Sequence, residues 1–102
     1  MNQQDLTALP VDLSGRRVII TAGAAGIGAA LADAFADRGA RVHLCDVDQN
    51  ALASSRHANS HADVSRREDI DRYMQTALSH LGGLDVLAVS YTHLTLPTTP
   101  YV

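Results

Sequence analysis

The sequence predicts an α/β architecture: a partial, doubly wound parallel sheet of about four strands in the order 3-2-1-4, with helices on both faces. Three observations predict it. Short apolar runs alternate with stretches of helical spacing, a glycine-rich turn joins the first run to the first helix, and an acid closes the second run. Strands that alternate with helices pair in parallel through right-handed crossovers, which leaves few other topologies. No internal repeat or low-complexity segment interrupts the pattern.

Residues 1–12 are polar, with no basic start and no apolar stretch long enough for a signal peptide or a membrane span, so they read as a short flexible tail. Residues 17–22 (RVIITA) form a β-branched apolar run, the mark of a buried strand. Residues 23–28 are the glycine turn. From Ile27 the spacing becomes helical: Ile27, Leu31, Ala34 and Phe35 share one face, and Asp33, Asp37 and Arg38 fall away from it. Gly39 is placed to stop that helix.

Residues 41–46 (RVHLCD) form a second strand ending at Asp46, and Asp48 is positioned to cap a short helix through about residue 55. A third strand is expected near residues 58–63. Ser65 and Glu68 have the spacing of a capping box, which opens a helix whose apolar stripe is Ile70, Met74, Ala77, Leu78 and Leu81. Gly82 and Gly83 end it, and residues 84–88 (LDVLA) supply the fourth strand.

The 102 residues, 46% hydrophobic and 19% charged with a net charge of −3, make one small domain. Its arginines are scattered among more numerous acids with no basic run, which argues against a nucleic-acid partner. The single cysteine, Cys45, excludes an internal disulfide and fits a reducing, cytoplasmic setting. There is no lysine, so any mechanism that needs a lysine amine is closed to these residues.

Chemistry concentrates at the turn. Glycine tolerates positive φ, and backbone without side chains can approach a phosphate closely. The free N–H groups and the dipole of a helix N-terminus favour the negative charge. Asp46 follows Gly26 by twenty residues, where a carboxylate can accept hydrogen bonds from an adenosine ribose. It would also repel the additional phosphate of NADP. No arginine follows it, and Asp46-Val47-Asp48 is acidic, so NAD is favoured. The alternative for Asp46 is a simple loop cap.

The run Thr21-Ala22-Gly23-Ala24-Ala25-Gly26-Ile27-Gly28 resembles the T-G-x-x-x-G-x-G turn of short-chain dehydrogenases/reductases. Leu13-Ser14-Gly15 is similar to that family's lead-in, Asp63-Val64 to its adenine-contacting pair, and residues 81–87 (LGGLDVL) to the approach to its fourth strand. The resemblance spans about residues 11–88. It implies a Rossmann-type domain over residues 13–88, with Thr21, Gly23, Ala25, Gly26, Ile27, Gly28, Asp46, Val47, Asp63 and Val64 as cofactor-binding residues. The family's first glycine falls on Ala22, a variant that works if the neighbouring Gly23 absorbs the unusual backbone angles. Members that favour NADP often carry a basic residue where Ala25 stands, which again points to NAD.

The resemblance further implies hydride transfer between a nicotinamide and a small secondary alcohol or ketone, by a protein that is a homotetramer at full length. The family continues after its fourth strand with Asn-Asn-Ala-Gly, a catalytic Ser and a Tyr-x-x-x-Lys pair, in which the Tyr is the general acid/base. None of these is present. Tyr73 lies in a predicted helix, and Tyr91 and Tyr101 lie beyond the fourth strand, so no catalytic residue is assigned and the chain is expected to be inactive.

From Val89 the sequence changes character. Residues 89–98 (VSYTHLTLPT) resemble the translation of a transposon-type sequencing adapter, GTC TCT TAT ACA CAT CTG ACG CTG CCG ACG. Thr99, Pro100 and Tyr101 would then cover its variable index and Val102 the GTG before a stop. Residues 89–102 are accordingly read as a non-native tail, with a genuine divergent C-terminus as the alternative.

Other constellations carry less. His57 and His61 are four apart but have no third ligand, and read as surface histidines rather than a metal site. His43 and Cys45 read as sheet-packing residues. Asp46, Asp48 and Asp85 could form the acidic pocket of a receiver domain, but Asp85 starts its strand instead of ending it and reads as a loop acid. Two further function classes remain: an S-adenosylmethionine-dependent methyltransferase, whose turn usually follows an acid where Thr21 stands, and a non-catalytic NAD-sensing module.

Overall fold

A computed structural model describes residues 12–89 of the chain. Residues 1–11 of the expected tail at residues 1–12, and the segment at residues 90–102, lie outside the described residues. Four parallel strands form one sheet in the order β3-β2-β1-β4: β1 (Arg17–Thr21), β2 (Arg41–Asp46), β3 (Ala58–His61) and β4 (Val86–Val89). The helices are α1 (Gly26–Asp37), α2 (Gln49–Ser54) and α3 (Arg67–Leu81). Thr21 pairs with Cys45 on one side and Val89 on the other, and Asp46 pairs with His61. The strand tips after these residues therefore share one edge. Val89, where the sequence changes character, closes β4.

Alternation along each strand sends side chains to two faces. Val18, Ile20, Val42 and Leu44 pack with Ala32 of α1 and Leu52 of α2. Ile19 and Cys45 pack with Ala62 and with Tyr73, Ala77 and Leu81 of α3. The apolar run of β1 is thus explained by burial on both sides. Each fully enclosed Ile or Leu contributes roughly 1.5–3 kcal/mol.

Two helix faces differ from the periodicity expected of them. On α1 the buried positions are Gly28 and Ala32, while Ile27 is 74% exposed and Leu31 and Ala34 also face out. Only Phe35 of the predicted stripe packs inward. The small residues win because they let the helix axis approach the sheet, a choice that hydrophobicity counting cannot see. On α3 the buried stripe is Tyr73, Ala77 and Leu81, with Ile70 and Leu78 displaced outward. Tyr73 is drawn in by a polar partner on β2, described below.

Asp48 caps α2 as expected, its carboxylate accepting from the Ala51 N–H. The capping box does not form. Ser65 donates both its N–H and its hydroxyl to Asp63, and α3 begins after Arg66 with no side-chain cap. Asp69 in the first turn of α3 instead reaches back to accept from the Asp63 N–H at 3.0 Å.

The opposite edge of the sheet is braced by arginines. Arg17 donates from Nε and Nη2 to the carboxylate of Asp85 at 3.0 and 3.2 Å, and its backbone N–H donates to the same group. Asp85 is a loop acid as expected, just before β4, and its bonds to Arg17 also join β1 to the start of β4. Arg41 donates to the carbonyls of Leu81 and His80, holding the C-terminal end of α3 against β2. On β4, Val86 and Ala88 face the α1 side, whereas Leu87 and Val89 are 49% and 53% exposed.

Candidate functional site

β1 passes to β2 on one side of the sheet, and β4 lies on its other side, so the switch point at which open α/β sheets have their crevice lies above the tip of β1. The glycine turn fills the connection from β1 to α1. The Gly23 N–H donates to the Cys45 carbonyl at 3.0 Å and extends the ladder by one bond. Ala22, not Gly23, takes the left-handed conformation, with φ +52. The expectation that the neighbouring glycine absorbs this strain is wrong. A Cβ on Gly23 would lie 2.7 Å from the Cβ of Leu44, so glycine is needed there for space.

Gly28 has the strictest requirement. A Cβ at that position would lie 2.0 Å from the Ala22 carbonyl oxygen, so the first turn of α1 rests directly on the backbone of the β1 tip. Gly26 differs: its φ is +59 and a Cβ would enter open space. Ala25, extended at φ −150, precedes the helix without any side-chain cap, and no acid occupies the first turn. Among the described residues, the opening N–H groups of α1 thus have neither an intrahelical acceptor nor a capping side chain, an arrangement suited to an anion.

Asp46 sits beside this turn and is 8% exposed. Its Oδ2 accepts from the Ala24 N–H at 3.1 Å, and its Oδ1 accepts from the Asp48 N–H at 3.1 Å. A carboxylate offers about four lone-pair sites, so two remain for hydroxyl donors. Val47 is exposed beyond it, as Ile27 is at the helix start. Thr21, Gly23, Ala25, Gly26, Ile27, Gly28, Asp46 and Val47 thus lie at the tip of β1, in the turn and first residues of α1, or at the adjoining end of β2.

Asp63 and Val64 stand on the far side of the β2 tip, where the Ala62 N–H donates to the Asp46 carbonyl at 3.1 Å. Hydrogen bonds from Ser65 hold the Asp63 carboxyl below its ordinary range. Val64 packs against the cluster around Ile19 and Cys45. Cys45 lies directly beneath the turn. Burial pushes its thiol up to about 11, against an opposing hydrogen bond from Ala22, so it is not a nucleophile near neutral pH.

Among the described residues, no group of three or more His, Cys, Asp or Glu is placed to hold a metal, and no helix is long and apolar enough to cross a membrane. His57 is less exposed than its sequence context suggests: its Nε2 lies 2.7 Å from Oδ1 of Asp33 on α1, which also accepts from Arg56. Sequence reasoning missed the tie between Ala24 and Asp46. Backbone donors carry no sequence signal, although an acid at a strand end beside a glycine turn was the available hint.

The family model described as short chain dehydrogenase matches residues 16–95. The chain belongs to the short-chain dehydrogenase family. This membership displaces the methyltransferase alternative.

The sex determination protein tasselseed-2 of Zea mays is 42% identical over an 87-residue alignment that covers 78% of this chain and 26% of that protein. Tropinone reductase-like 1 of Erythroxylum coca is 36% identical over an 81-residue alignment that covers 74% of this chain and 30% of the relative. Among solved structures, 3-ketoacyl-(acyl-carrier-protein) reductase from Brucella melitensis, complexed with NADH, aligns with a TM-score of 0.70 at 30% identity. That alignment covers 74% of this chain and 34% of the reductase. The short-chain dehydrogenase chain thus spans well under half the length of these relatives.

Proposed function

We propose that residues 13–88 are the NAD-binding part of a cytoplasmic short-chain oxidoreductase that interconverts a small secondary alcohol and a ketone, homotetrameric at full length. The observation that carries the reading is the uncapped start of α1 beside the Asp46 carboxylate, linked through the Ala24 N–H. In this reading the N–H groups around Gly26, Ile27 and Gly28 hold the pyrophosphate. Thr21, Gly23 and Ala25 shape the turn around it. Asp46 accepts from the ribose hydroxyls and disfavours a 2′-phosphate by charge. Val47, Asp63 and Val64 border the adenine. A bound nicotinamide supplies or accepts the hydride. The NADH held by the Brucella melitensis reductase supports a nicotinamide cofactor.

With no lysine among its residues, the chain is proposed to bind cofactor without turnover. Calorimetric titration with NAD, NADP and S-adenosylmethionine tests this. Saturable binding in which NAD is tighter than NADP is expected. Preference for NADP, or no binding of any of the three, overturns it. Binding with no oxidation of any secondary alcohol also fits a sensing module. The gene sequence beyond Ala88 separates the two, because a Tyr-x-x-x-Lys pair there means an enzyme.

Residues from about 89 onward are proposed to be translated adapter, although the family match continues to residue 95. Reading the locus from an independent library should give different codons after Ala88. The same codons and stop within continuous genomic DNA would refute this.

A further inference from the structure

The face of β2 that α3 covers carries a polar group at its centre. His43 is 4% exposed and Tyr73 of α3 is 3% exposed, among Ile19, Cys45, Ala77 and Leu81. Nδ1 of His43 lies 2.9 Å from Oη of Tyr73. The two rings are 5.3 Å apart, and the ring of His80, seven residues along α3, lies 5.3 Å from His43 on another side. A tyrosine and two histidines thus meet across a helix–sheet contact whose other buried side chains are apolar, with Arg41 bonded to the helix end beside them. The proposed cofactor crevice involves none of them.

We propose that His43, Tyr73 and His80 form a pH-sensitive latch that holds α3 on β2 at neutral pH and releases it in mild acid. The physical basis is the cost of a cation in that position. Neutral His43 can exchange one hydrogen bond with Tyr73 and needs nothing more from water. Protonated His43 must donate from both nitrogens, from a site almost without solvent. The charged groups around it offer no relief. Tyr73 and His80 face it from α3, Arg41 and Cys45 flank it along β2, and β1 and β3 set Ile19 and Ala58 beside it in register. Arg41 is a cation committed to the carbonyls at the end of α3, and no carboxylate stands in this group. Charge on His80 and charge on His43 oppose each other.

Burial, with a smaller contribution from His80, holds the His43 imidazole below its ordinary value of 6.5. The unfolded chain therefore binds this proton more readily than the folded one. The stability is complete above about pH 6.5 and is lost as pH falls through and below that value toward the folded-state titration point. The carboxylates held low by partners act only in stronger acid, so the two effects separate.

The test is urea unfolding of the full chain between about pH 7.5 and about pH 5, with hydrogen exchange of the α3 amides corrected for intrinsic rate. The wild type is expected to lose urea midpoint and α3 protection across this interval, and His43→Gln to flatten most of that loss. Equal pH dependence in the two proteins overturns the latch. Should His43→Gln fail to fold, imidazole titration by NMR decides the matter in wild type and His80→Gln. His43 must titrate below an exposed histidine, and must move upward when His80 is removed. Titration at or above the exposed value, or no movement, overturns the proposal.

Discussion

The backbone N–H of Ala24 donates to Oδ2 of Asp46 at 3.1 Å, so the glycine turn and the tip of β2 are held by one carboxylate. The other oxygen of that carboxylate holds the Asp48 N–H, which begins the approach to α2. Asp46 is thus a structural hub as well as a candidate ribose ligand. Its substitution should be read with two separate measurements.

For Asp46→Asn, one oxygen remains to accept and the other becomes a donor facing an N–H group. Stability should fall by roughly 1–3 kcal/mol, the cost of an unsatisfied buried donor, measured by urea unfolding. NAD affinity should fall about tenfold or more, measured by calorimetry, because charge-assisted hydrogen bonds to the ribose are lost. The preference for NAD over NADP should shrink at the same time.

Three substitutions in the turn should separate three requirements. Gly28→Ala drives a methyl group into the Ala22 carbonyl, and should cost more than about 3 kcal/mol or prevent folding. Gly26→Ala meets open space and pays only for its backbone angle, about 1 kcal/mol, yet should weaken dinucleotide binding. Ala22→Gly should raise stability by about 1 kcal/mol, since alanine at φ +52 is strained. Thermal unfolding beside NAD titration reads all three.

The Arg17–Asp85 pair should govern the acid limb of stability. Hydrogen bonds from the Arg17 side chain and backbone, with the guanidinium charge, hold Asp85 at about 2, against an ordinary 3.8. The folded state thus resists this proton. The pair's stability is present above about pH 4 and is lost as pH falls toward about 2. Asp85→Asn should lower the urea midpoint near neutrality and make its decline in this acid range shallower.

Leu87 and Val89 leave one face of β4 bare, and the outer edge of that strand is unpaired among the described strands. The chain should self-associate in a concentration-dependent way through this strand. Leu87→Lys should reduce the sedimenting oligomer without lowering NAD affinity, because Leu87 pairs in register with Ile19, below the tip of β1.

Much of the fold was legible in the sequence. Parallel strands buried on both faces advertise themselves as apolar runs, and the order β3-β2-β1-β4 is that of the first half of a doubly wound sheet, to which alternating strands and helices pointed. Asp48 also signalled its helix start. The errors share a cause. Ile27 and Leu31 of α1 lost to Gly28 and Ala32 because close approach, not hydrophobicity, set the packed face. Ser65 had the spacing of a cap but was taken by Asp63. Tyr73 falls four residues before Ala77 on the same helical face, but its hydroxyl kept it out of the apolar stripe, and His43, thirty positions earlier, supplies the partner that lets it be buried. At the candidate site the glycines and Asp46 were visible, but the strained residue was misplaced by one position.

The two ends of the sheet are fastened unequally. At the edge where the strands begin, two guanidinium groups bind β1 to β4 and β2 to α3 through several bonds each. Where the strands finish, the tips of β1 and β2 share the Gly23 bond and the grip of Asp46. Thermal fraying should therefore start from the end that carries the glycine turn, and a dinucleotide lying across both tips would clamp them together. Its binding should slow hydrogen exchange most in residues 22–28 and 46–48, leaving the arginine-braced end almost unchanged.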